Sequence, residues 1–205
     1  MRPILIFLLL AGASIIAWLI LARPKNNVED EKQQAIAVSK HSNAFNSAVI
    51  TVLNDYNKLT EQLVNWDSSG VAATAQAFTK DMESLPLADL QKDSSAIYET
   101  ALMFVENAKG EATTIATEKT IRPQREAFNS LTENLYQFLN TVRYDRQKLY
   151  LQESPMAFDD SKPGLWLSQQ EEIRNPYLGL HHPTYGKAML SCGETKTKLN
   201  NTGKQ

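Results

Sequence analysis

One cysteine in 205 residues, Cys192, leaves no partner for an intramolecular disulfide and rules out a four-cysteine zinc site. Histidine is almost as scarce: His41, His181 and His182 are the full set. No glycine-rich phosphate loop is present, and no basic run offers a footprint for nucleic acid. The net charge is −2, and the three basic residues at or before position 25 (Arg2, Arg23 and Lys25) meet no acid there. Everything after them carries 18 basic against 23 acidic residues, a net of −5. Such a surface does not attract phosphate backbones, so nucleic acid is not expected as a partner. Catalysis has little to work with. Cys192 is the one candidate nucleophile, and nothing around it resembles a cysteine-hydrolase signature. The acidic pairs Asp159-Asp160 and Glu171-Glu172 sit in polar stretches, where solvated carboxylates make poor general acids at neutral pH. The chain reads as non-enzymatic.

What the sequence does have begins with residues 3–22, a stretch of 20 without a charge. As a helix it spans roughly 30 Å, the thickness of a hydrocarbon core. A cleaved signal peptide has a shorter apolar core and a small-x-small cleavage site. With Ala22 at −1, Ile20 falls at −3, and Pro24 lies just beyond the cut. An uncleaved signal anchor over residues 1–25 fits better. Basic residues flank both ends, so charge does not set the orientation. The short N-terminus makes translocation of the rest the expectation. That places a single-pass protein in the inner (cytoplasmic) membrane with its domain in the periplasm or otherwise outside the cytoplasm.

Residues 26–40 are polar and read as a juxtamembrane spacer. A seam follows: Phe45, Val49, Val52, Tyr56, Leu59, Leu63 and Trp66, spaced 4-3-4-3-4-3. This is one apolar stripe on a helix. Asp67-Ser68-Ser69-Gly70 stops that helix and starts a second over 71–85, with Phe78 and Met82 on one face and Pro86 at its end. A third helix is expected over 88–116, striped by Ile97, Ala101, Phe104, Val105 and Ala108, with Gly110 as a weak point. Pro123 suits the first turn of a fourth, where Phe128, Leu131, Leu135, Phe138 and Val142 step 3-4-3-4. Four singly striped helices over 41–150 bury one another as an antiparallel bundle.

From Leu151 the composition changes. Four of the eight prolines and four of the eight glycines fall between 151 and 195. A continued helix is excluded there, yet Trp166, Tyr177, Tyr185, Met189 and Leu190 are not residues of a solvated tail. The expectation is an irregular segment folded back onto the bundle, then a disordered tail over 196–205. The fold class is thus all-α: a four-helix bundle with an irregular C-terminal segment packed on it, preceded by the anchor helix.

Within that segment stand Pro155-Met156, Trp166-Leu167-Ser168, Ile173-Arg174-Asn175-Pro176-Tyr177, Met189-Leu190 and Cys192-Gly193. In this order they resemble the C-terminal signature of the DUF3347 family: Cys-Pro-Met, Trp-Leu-Ser, Ile-Arg-Asn-Pro-Tyr, Met-Leu and Cys-Gly. Residues 56–77 and 124–138 resemble the family's helices more loosely. The resemblance implies an exported helical domain, found alone or fused to adaptor subunits of heavy-metal efflux systems, with a role in copper or related metal handling. One departure stands out: Ser154 occupies the position of the signature's first cysteine.

Thioether and thiolate sulfurs are soft donors that suit Cu(I), and imidazole suits copper and zinc. Met156, His181, His182, Met189 and Cys192 fall within 37 residues and form the candidate metal set, with Cu(I) as the candidate cofactor. A bland reading stands beside it. The methionines fill gaps around Trp166 and Tyr177, Cys192 is a small hydrophobe or an intermolecular thiol, and the histidines are turn residues. His41 reads as solvated, and Asn175-Pro176-Tyr177 as a turn. Two functions follow: a soft-metal-binding domain in metal homeostasis or efflux, or a metal-free module docking to an envelope or efflux complex. Partners are then the membrane and an efflux or envelope protein.

Overall fold

A computed structural model describes residues 41–158 and 162–199. All of them lie in one compact unit, residues 37–205. The expected anchor and spacer fall outside the described residues. Among the described residues, no helix is long and apolar enough to cross a membrane.

Four α-helices come first: α1 (Asn43–Val64), α2 (Ser68–Glu83), α3 (Ser95–Thr117) and α4 (Ile121–Thr141). A short 3-10 helix (Leu87–Lys92) joins α2 to α3. The starts of α1, α2 and α3 are capped by side chains. The Ser42 hydroxyl accepts from Phe45 N, the Asp67 carboxylate from Gly70 N and the Ser94 hydroxyl from Ile97 N. The cap at Ser94 explains why the single helix expected over 88–116 is two elements. Within the second of them, α3 runs through Gly110 without a break. Helices α1 and α4 end in matching Schellman turns. Asp67 N donates to Gln62 O, and Tyr144 N to Leu139 O. The residues that carry the left-handed conformation are Trp66 (φ 59) and Arg143 (φ 49), where glycine is usual.

The stripes are the core. Phe45, Val49, Val52, Tyr56, Leu59 and Leu63 are buried, as are Phe78, Met82, Phe128, Leu131, Leu135, Phe138 and Val142. Phe104 is only partly covered, and Trp66 leaves the stripe at the turn. His41 is not solvated as expected. Its Nε2 lies 2.6 Å from Val142 O and its ring stacks on Phe45, which pins the start of α1 to the end of α4.

The all-α expectation is overturned beyond Tyr144. The C-terminal segment forms a three-stranded antiparallel sheet of order β2-β1-β3, from β1 (Leu149–Phe158), β2 (Lys162–Ser168) and β3 (Glu194–Leu199). The prolines that argued against regular structure sit where the ladder is broken. Pro155 lies in the irregular stretch between Ser154↔Gly164 and Phe158↔Lys162. The tail expected from 196 is strand as far as Leu199, an edge strand whose Lys196 and Lys198 reach Glu153 and Glu171. A relay of hydroxyls ties the sheet to the bundle. Leu167 N donates to Tyr56 Oη (2.9 Å), Tyr56 pairs with Thr132 Oγ1 (2.7 Å), and Thr132 donates to Phe128 O.

Candidate functional site

Between β2 and β3 the chain crosses the C-terminal end of α1, and four polar contacts fix it there. Trp66 Nε1 donates to Leu178 O (3.0 Å), and Leu180 N donates to Val64 O (2.8 Å). Arg125 reaches both partners at once, from Nε to Pro176 O (2.8 Å) and from Nη2 to Leu63 O (2.9 Å). Gly179 (φ +61) makes the approach possible, because a Cβ there would lie 2.4 Å from Val64 O. Asn175 shapes the turn behind it, as the sequence indicates. Its Oδ1 accepts from Tyr177 N and Leu178 N, and its Nδ2 donates to Cys192 O.

A cleft of about 460 Å³ opens beside these contacts. Trp66, Arg125, Phe158 and Tyr177 form part of its lining, and Tyr185 (47% exposed) lies at its mouth. Trp66 holds a backbone conformation that costs a non-glycine residue about 1–2 kcal/mol. The Arg125 guanidinium lies over its ring, 4.2 Å from the ring centroid. Burial pushes Arg125 down to about 9, which still leaves it a cation at neutral pH.

The structure divides the five candidate ligands. Met156 (38% exposed), His182 and Met189 line the cleft; His181 and Cys192 do not. His181 is exposed, and Cys192 is a free thiol of intermediate exposure. His182 stacks on Tyr185 at 4.8 Å, and its Nδ1 faces Thr184 N (3.2 Å) and Tyr185 N (3.3 Å) as an acceptor. An imidazole that accepts at Nδ1 carries its proton on Nε2 and has no lone pair left for a metal there. Among the described residues, no group of three His, Cys, Asp or Glu is arranged to hold an ion. Ser154 is fully buried in β1 with no hydrogen-bond partner for its hydroxyl among the described residues.

Trp66, Arg125 and Tyr185 are absent from the candidate set read from sequence. Arg125 carried a signal: it lies three residues before Phe128, on the apolar stripe of α4, where a charge is out of place. Trp66 closes the α1 stripe at a helix end, which gave no sign that its ring turns toward a cleft.

Fold and site together define a class: a four-helix domain carrying a small C-terminal sheet, with a cleft where the returning chain crosses the bundle. Residues 52–147 match the model of DUF3347, a protein of unknown function, the same family that the C-terminal motif resembles. The matched span runs from within α1 to the residue pair before β1, so it rests on the helices and not on the C-terminal motif. No curated protein and no solved structure matches the chain.

Proposed function

We propose that this is a non-catalytic binding domain, displayed outside the cytoplasm, whose working surface is the cleft at the end of α1. The observation that carries this reading is Trp66. A bulky residue held in a left-handed backbone, with its ring fixed between Arg125 and Leu178 O, is strain stored at one wall of the cleft. The volume falls in the range of small-molecule sites, and the lining mixes aromatic walls with a few polar groups. The uncharged run at 3–22 supports display on a membrane. The test is thermal unfolding of the full chain against a panel of small organic acids, amines and neutral compounds. A ligand that binds only the folded state raises Tm. Compounds that do so should lose the effect in Met156→Trp, which fills the cleft from an exposed position. A panel with no Tm shift, or shifts that persist in the variant, would overturn the reading.

A soft metal is the second reading, favoured by Met156 and Met189 lining one cleft. Two thioethers suit Cu(I). In an anaerobic Cu(I) titration against a chromogenic competitor, this reading expects one ion bound by the full chain. Binding would be lost in Met156→Leu/Met189→Leu and kept in Cys192→Ala. No binding above the competitor's background would remove it.

A further inference from the structure

Arg125 is 5% exposed, yet no carboxylate pairs with it among the described residues. Its two hydrogen bonds go to neutral carbonyls, Pro176 O and Leu63 O. The second is an end carbonyl of α1, whose dipole offsets part of the positive charge. The remaining terminal nitrogen, Nη1, has no hydrogen-bond partner among the described residues. A desolvated cation with a spare donor is an unusual thing to keep at the wall of a cleft. The cleft sets apolar groups beside it, Phe158, Met156, Met189 and the Trp66 ring, with the Arg122 side chain also on the lining.

We infer that the cleft binds a small organic monocarboxylate with an aliphatic or aromatic body, its carboxylate on the Arg125 guanidinium and its body against Met156, Met189 and Tyr185. This rests on the cleft being the binding surface, and it adds the ligand's class. With Nε and Nη2 bonded to carbonyls, Nη1 is the nitrogen that donates a charge-assisted hydrogen bond to the carboxylate, and the low-dielectric wall strengthens it. An inorganic anion would leave the apolar wall unfilled. A neutral apolar molecule would leave the Arg125 charge uncompensated. The cation persists at neutral pH despite its burial.

The experiment is calorimetric titration of the full chain with 4-phenylbutyrate, its neutral analogue 4-phenylbutanamide, and acetate. The acid should bind at least about tenfold more tightly than the amide, and acetate should not saturate. In Arg125→Met the acid should fall to the level of the amide. That variant removes two buried hydrogen bonds and could unfold, so Met156→Glu is the second arm. It places a carboxylate at an exposed position on the wall. It should weaken the acid at least about tenfold more than it weakens the amide. Equal affinity for acid and amide in the wild type would overturn the anion assignment and leave the cleft as a binding surface. An acid preference that survives both variants would also overturn it. Binding of neither compound would count against the ligand class and the cleft alike.

Discussion

The helical half and the C-terminal half of this domain are held by different forces. The stripes of α1 and α4 bury nearly every apolar side chain they carry, so that half rests on the hydrophobic effect spread over many residues. The returning chain has fewer buried apolar groups and is fixed by a small number of hydrogen bonds. Arg125, Trp66 and the Tyr56 hydroxyl each connect two elements far apart in sequence, and Asn175 ties Tyr177, Leu178 and Cys192 together within the returning chain. The lesson is one of separability. Damage to a stripe should unfold the whole domain, whereas damage to a polar contact should release the C-terminal segment alone. The cleft lies on the seam between the two and depends on the weaker set.

The largest effect should come from the stripes. Phe138→Ala removes a fully buried ring from α4 and should cost about 3–5 kcal/mol in urea denaturation. Its transition should stay single, because both halves lose their support together. Tyr56→Phe should cost about 1–3 kcal/mol, since it leaves the buried Leu167 N–H without its acceptor. Gly179→Ala combines a left-handed φ with a contact of 2.4 Å to Val64 O, and should cost more than about 1 kcal/mol. Near-ultraviolet dichroism, sensitive to Trp66, should register that change more strongly than far-ultraviolet helix content does.

Most of the helical half was legible in the sequence, and the reason is physical. A 3.6-residue period writes one apolar stripe per helix, and residues such as Val49, Val52, Leu59 and Leu63 are there to be buried. The sheet was not legible because its strands lack the alternation that marks a half-buried strand. β1 carries four consecutive buried residues, Leu149 to Gln152, and then a proline at a break in the ladder. β3 is a charged edge whose side chains look like those of a solvated tail. At the site, the methionines and His182 were visible as residue types, and the structure brings those three to one cleft. Trp66 was hidden because it closes an apolar stripe, whereas Arg125 stood out as a charge on one, and only contacts across the fold give either its role at the cleft.

The smallest expected effect sharpens the contrast from the helical side. Asp55 on α1 faces Asp81 on α2, and burial, followed by the Asp81 charge, holds its carboxyl above its ordinary 3.8. A carboxyl with a raised folded-state pKa favours the native state when protonated. Stability is therefore lost as pH rises through the unfolded and then the folded pKa. Asp55→Asn should raise Tm by roughly 1–3 °C at pH 7 and leave it unchanged at pH 3. A rise of equal size at both pH values would point to a cause other than charge.

The separability of the two halves is tested most directly by amide hydrogen exchange in Asn175→Ala. This residue is fully buried and holds Tyr177 N, Leu178 N and Cys192 O through one side chain. Protection should fall across residues 175–193 and remain at wild-type levels in α1 to α4, with the cleft opened. Loss of protection spread evenly over the helices, or no loss within 175–193, would contradict the account.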